Sequence, residues 1–243
     1  MNASEISLQK RFTEVRILFQ DISRADEDVT IVDTVKYEDL RPGLEYKVVG
    51  KLMSKKTGKI IQAGGRDVTA ETTFTAEKSE GSVQVTFNFS GVNLKGETVV
   101  AFETLYHKDV PVAVHAEIDD KMQTVYLPEI KTAARDSETK IGLSKGDDKI
   151  ILTDTVSYTD VMPGAEYTVI GVLMNQATGE PVVSAGRGVT AEAVFTALDV
   201  EGTVDVVFEF DGRDLEGKTT VVFESLQYRG KEVAFHTDLA ADK

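Results

Sequence analysis

The chain contains one long segment written twice. DTVKYEDLRPGLEYKVVGKLMSKKTG (33–58) reappears as DTVSYTDVMPGAEYTVIGVLMNQATG (154–179), at an offset of 154 − 33 = 121 residues. The offset holds without a gap through GRDVTAETTFTA (65–76) and GRGVTAEAVFTA (186–197). It holds again at VAFETL (100–105) and VVFESL (221–226), and at His115 and His236. Solenoid repeats recur every ~20–50 residues because each is one small supersecondary unit; a period this long is a whole domain. Two tandem domains are therefore predicted, 1–126 and 127–243, joined by the short linker TVYLPEIK (124–131) with its single proline.

Within each unit the pattern is that of strands. SVQVTFNF (82–89) and TVDVVFEF (203–210) alternate apolar and polar residues, the period of a half-buried strand. EYKVVGKLM, TVVAFETLY and VPVAVHAE are rich in β-branched and aromatic residues. Turn residues punctuate them at Pro42-Gly43, Thr57-Gly58, Gly64-Gly65, Gly91 and Gly96. No segment carries a long helical stripe. About seven or eight short strands at this spacing predict an all-β fold of two tandem immunoglobulin-like β-sandwich domains.

Composition narrows the function classes. A hydrophobic share of 41% is enough for packed cores, and a net charge of −14 repels nucleic-acid phosphates. There is no apolar run of the ~20 residues that spans a bilayer, so neither nucleic acid nor membrane is an expected partner. With no cysteine, neither disulfides nor thiol chemistry is available. The start, MNASEISLQKRF, lacks an apolar signal-peptide core, so a secreted parent implies that this chain is a segment of it.

Chemistry concentrates in HAEIDDKMQTV (115–125), which groups a histidine, three acids and a glutamine in a chain with three histidines. Its counterpart, HTDLAADK (236–243), contains no glutamine. His115 and Gln123 would lie about 26 Å apart in an extended strand, so they meet only if EIDDK folds back. Glu103 has the strand parity of Ala101 and Leu105, which turns its carboxyl toward an apolar face where protonation is favoured. Most strand histidines are structural or exposed, and His107 beside Lys108 and Asp109 is read as a solvated loop residue. SRADED (23–28) and SKGDDK (144–149) lack the ligand order of a calcium loop and are read as solvated turns.

The set D-T-V-x-Y, P-G-x-x-Y, G-x-L-M, x-T-G, VAFE/VVFE and H-x-[DE]-[IL] resembles VaFE repeats, the Thr–Gln ester-bond domains of Gram-positive surface adhesins and pilus-like shafts. The resemblance covers nearly the whole chain from Asp33. It implies immunoglobulin-like domains that join first strand to last by an autocatalytic ester, a threonine hydroxyl displacing ammonia from a glutamine. IKTAARD (130–136) matches the family's opening motif, which makes Thr132 the nucleophile of the second domain. HAEIDDKMQ supplies His115, Asp120 and Gln123, and the VaFE glutamates are Glu103 and Glu224. His236 is the second domain's histidine.

In the first domain RFTEVRI (11–17) offers Thr13, with Val15 where alanine is usual, and 123 − 13 = 110 residues separate it from Gln123. By this resemblance a histidine acts as base, and a protonated Glu103–Asp120 pair donates to the amide oxygen of Gln123. The second domain is expected to fold without a crosslink, because no glutamine follows His236 in these residues.

No cofactor or metal is expected. The reading is a monomeric shaft module on the outside of a cell wall. Its partners are neighbouring repeat domains of its own chain, with any host ligand bound elsewhere in the parent protein. The competing readings are a host-ligand-binding module without a crosslink and a turnover esterase or amidase. The absence of tryptophan argues against a sugar platform, and the absence of G-x-S-x-G argues against the enzyme.

Overall fold

The computed structural model describes residues 21–239, in which every regular element is a strand or a short 3-10 turn. The chain divides after Tyr126 into two units. The first contains β1 (Val29–Tyr37), β2 (Glu45–Ser54), β3 (Gln62–Ala63), β4 (Arg66–Asp67), β5 (Thr69–Thr75), β6 (Gly81–Phe89), β7 (Glu97–His107) and β8 (Val110–His115), and β9 (Thr124–Leu127) runs to the boundary, its last residue falling in the second unit.

β1 and β6 pair antiparallel from Val29 opposite Phe89 to Tyr37 opposite Gly81. The other sheet runs β5-β2-β7-β8, and β9 also pairs with β7. Alternation decides which side chains face inward. Along β1 every second residue from Val29 to Tyr37 is buried, and the polar member of that row is Asp33. Val35, Val85 and Phe87 from one sheet and Val48, Leu52 and Leu105 from the other are all buried in the core. Burying side chains of this size contributes about 1.5–3 kcal/mol each.

Residues 21–23 run parallel to β9, with Ile22 bridged to Tyr126, Ser23 N donating to Tyr126 O and Tyr126 N donating to Asp21 O, both at 2.9 Å. The chain entering the first unit therefore lies beside the strand that leaves it.

The second unit repeats the plan with β10 (Glu129–Asp136), β11 (Ile150–Thr159), β12 (Glu166–Asn175), β13 (Val183–Ser184), β14 (Arg187–Gly188), β15 (Thr190–Thr196), β16 (Gly202–Phe210), β17 (Thr220–Tyr228) and β18 (Lys231–His236). One sheet is β10-β11-β16 and the other β15-β12-β17-β18. The edge strands β10 and β18 touch across the sandwich.

Two glycines are fixed by this packing. A Cβ on Gly50 would stand 2.6 Å from Phe87 Cζ, and one on Gly171 would stand 2.5 Å from Phe208 Cζ. Each lies opposite a buried glutamate in register, Gly50 with Glu103 and Gly171 with Glu224. The expected linker TVYLPEIK is itself strand: Pro128 alone separates β9 from β10, a strand-flanking position where its missing N–H costs no ladder bond.

Candidate functional site

Each domain holds two carboxyls in its core, one from each sheet. In the first, Asp33 of β1 faces Glu103 of β7, at 0% and 1% exposure. Burial, then the neighbouring Glu103 carboxylate, pushes the pKa of Asp33 up to about 9. In the second, Asp154 of β11 faces Glu224 of β17, and Glu224 rises to about 10 through burial and then through hydrogen bonding to and repulsion from Asp154. Two carboxylates cannot both stay ionised when close and desolvated, so each pair keeps a proton at neutral pH. All four oxygens of Asp33 and Glu103 are buried, and none has a hydrogen-bond partner within 3.5 Å among the described residues. The shared proton supplies one donor; a hydroxyl would supply another.

His115 ends β8 directly opposite Glu103, with Nδ1 3.6 Å from Glu103 Oε2. Its Nε2 stands 3.0 Å from Asp120 Oδ2. The interaction with Glu103, with Asp120 and Glu117 adding to it, raises the histidine above its usual pKa against the opposing effect of burial. In the tautomer that donates Nε2–H to Asp120, Nδ1 accepts, and the Gln123 amide nitrogen stands 3.5 Å from it.

The fold-back required by the sequence is a 3-10 turn, Lys121–Gln123, capped by Asp120, whose Oδ1 accepts from Met122 N at 2.8 Å. Asp120 O accepts from the Thr124 hydroxyl at 2.6 Å. Gln123 is thereby returned to the core at 1% exposure, with Oε1 lacking a partner among the described residues.

The expected Glu103–Asp120 pair is corrected here. The acid against Glu103 is Asp33, and Asp120 lies on the solvent side of the imidazole. The reason is topological: Asp120 belongs to the loop beyond β8, whereas Asp33 projects from the opposite sheet into the core. Asp33 and Asp154 were missed because D-T-V-x-Y reads as an ordinary strand. The available signal was an acid at the buried parity of β1, repeated at the same place in β11.

The second domain shows what meets such a pair. Thr132 of β10 donates its hydroxyl to Asp154 Oδ1 at 2.6 Å and stands 3.3 Å from Glu224 Oε1. His236 Nδ1 lies 3.3 Å from Glu224 Oε2. Thr132, Glu224 and His236, taken from three strands, are thus brought together around Asp154. Thr13 lies outside the described residues; the 121-residue offset maps Thr132 onto Arg11, two positions before Thr13.

His107 is bound rather than merely solvated: Nδ1 is 2.9 Å from Glu45 O, and its ring lies 5.3 Å from that of Tyr46. His115, Glu117 and Asp120 are the described residues with ligand atoms close enough to hold a cation, all within 4.8 Å of one another. The His115–Asp120 contact accounts for two of the three.

These features define a class: tandem immunoglobulin-like sandwiches, each with a histidine beside a buried acid pair, and with a threonine hydroxyl on that pair in the second. The chain belongs to the T-Q ester bond containing domain family, whose model matches residues 19–127 and 128–243. No curated protein matches it. Among solved structures it is similar to a bacterial adhesin from Mobiluncus mulieris containing intramolecular disulfide, isopeptide and ester bond cross-links. That likeness has 14% identity and a TM-score of 0.37, and covers 86% of this chain and 76% of that one. It is also similar to red sea bream transglutaminase, at 11% identity and a TM-score of 0.33, over 93% of this chain and 30% of that one. Likenesses this low carry nothing about function; the family assignment rests on the two matched segments.

Proposed function

We propose that the chain is a shaft module of a Gram-positive cell-surface adhesin, outside the cell wall, and that its first domain crosslinks itself through an ester from Thr13 to Gln123. Its working neighbours are the repeat domains of its own parent chain. The observation that carries the reading is the placement of a buried glutamine amide beside His115 Nδ1, next to an acid pair whose oxygens lack donors among the described residues. Thr132 on the second domain's pair supports a hydroxyl as the missing donor. The run of residues 21–23 beside β9 supports delivery of that hydroxyl from the chain's start.

In the reaction, the threonine oxygen bonds to the Gln123 side-chain carbon and the carbon–nitrogen bond breaks. The hydroxyl proton leaves with the nitrogen as ammonia. His115 Nδ1, beside that nitrogen, takes the proton and returns it to the departing group. The protonated member of the Asp33–Glu103 pair donates to the oxyanion that develops on Gln123 Oε1. Nothing is turned over, because both reactants are side chains of the product.

The intact mass of folded protein should fall short of the sequence mass by one ammonia, and peptide mapping should join the Thr13 peptide to the Gln123 peptide. Glu103→Gln and His115→Ala should keep the full mass while remaining folded. A full mass in the folded wild-type protein would overturn the proposal.

A further inference from the structure

Beyond the reacting groups, a contact onto the segment leaving the histidine strand recurs at the same place in both domains. Lys55 Nζ donates to Ile118 O at 3.3 Å, and Gln176 Nε2 donates to Leu239 O at 2.8 Å. Both ends are equivalent positions, since 176 − 55 and 239 − 118 each equal 121. The donors follow directly on β2 and β12. Each is rooted by its backbone: Lys55 N donates to Thr98 O at 2.9 Å and Gln176 N to Thr219 O at 3.0 Å. The carbonyls they reach lie three residues beyond His115 and His236.

The two side chains differ in length, charge and chemistry. What they share is an N–H donor aimed at one carbonyl of the segment leaving the histidine strand. Lys55 also stands 3.4 Å from Asp119 Oδ1, but that carboxylate is 90% exposed, and such exposed ion pairs contribute about 0–1 kcal/mol. The carbonyl bond is the common part. In the first domain, the segment it pins is the one that turns through Asp120 and returns Gln123 to the core.

We infer that Lys55 is a positioning residue for ester formation, holding the loop at Ile118 so that the Gln123 amide arrives against His115 and the acid pair, and that Gln176 is its counterpart in the second domain. The inference rests on the proposed ester. Displacing reacting atoms by about 1 Å costs up to a hundredfold in rate, so a loop free to shift slows the reaction without touching the reacting groups.

The test follows ammonia loss by intact mass in freshly translated full-length chains, alongside hydrogen exchange of the 116–123 amides. Lys55→Met should slow crosslinking about tenfold or more and raise loop exchange, while leaving the strand amides protected. Lys55→Gln, which borrows the second domain's donor and drops the charge, should restore a rate near wild type. Wild-type rate and exchange in Lys55→Met would overturn the inference. So would a Lys55→Gln as slow as Lys55→Met, because the shared donor would then not be the cause. If the wild-type chain forms no ester, the proposed function fails, and hydrogen exchange alone decides whether Lys55 pins the loop.

Discussion

A proton held between Asp154 and Glu224 is one that the unfolded chain does not hold at neutral pH. Glu224 titrates near 10 in the folded domain against 4.5 as its ordinary value. The folded state therefore binds more protons than the unfolded state throughout that interval. This contribution to stability is complete below about 4.5 and is lost as pH rises through about 10. Glu224→Gln removes the titration and keeps the shape, and its amide can donate to Asp154. Thermal midpoints of the second domain should thus move in the variant's favour, relative to wild type, as pH is raised across that interval. Taking the difference between the two proteins cancels the self-repulsion of a chain with net charge −14. A difference that does not change with pH would rule out the shared proton. The same residues show what sequence could yield here. The inward turn of Glu103 followed from its parity with Ala101 and Leu105. The partner of Glu103 did not, because pairing across two sheets depends on which strands face each other, and that is invisible in one strand's pattern.

The elements are held in register by contacts that alternation alone does not specify. Apolar alternation in 82–89 and 203–210 foretold β6 and β16, and the turn residues foretold the breaks between strands. Gly50 and Gly171 did not reveal what they make room for, since a glycine in a strand marks a bulge or a close approach without naming the neighbour. Their reason lies across the core, where Phe87 and Phe208 occupy the space a Cβ would take. Gly171→Ala forces the Phe208 ring away at a point directly opposite Glu224 in register. Overpacking of this kind costs about 1–3 kcal/mol, which should appear as a lower urea midpoint for the second domain. Adding Phe208→Leu should recover part of the loss, because it removes the atom that clashes. If Gly171→Ala is as stable as wild type, the close approach of ring and backbone is not a constraint on the fold. The 3-10 turn before Gln123 lies between these extremes. Its need was legible from the span between His115 and Gln123, and an aspartate suits such a turn, but which aspartate caps it was not, because Asp120 was read as the partner of Glu103.

At the scale of the molecule, two domains follow one plan, and the proposed ester ties the first segment of the first domain to its last. A bond from Thr13 to Gln123 closes a ring of 123 − 13 = 110 residues. By loop-closure entropy, a ring of that size stabilises by about 5 kcal/mol, acting through the unfolded chain. For domains of this size that corresponds to roughly 20 °C in the melting midpoint. The two domains should therefore melt in separate steps, the first domain at the higher temperature. Hydroxylamine supplies the decisive manipulation. In denaturant its nitrogen attacks the ester carbonyl, releases the Thr13 hydroxyl and leaves a hydroxamate at Gln123, and the chain contains no Asn-Gly bond for the reagent to cut. After refolding, the upper midpoint should fall by that amount while the lower one, from the domain the Thr13–Gln123 bond does not enter, stays fixed. Calorimetry of treated and untreated protein reads both steps in one scan. If neither midpoint moves although the mass shows cleavage, the bond does not constrain the unfolded chain. If both fall together, the two domains unfold as one cooperative body.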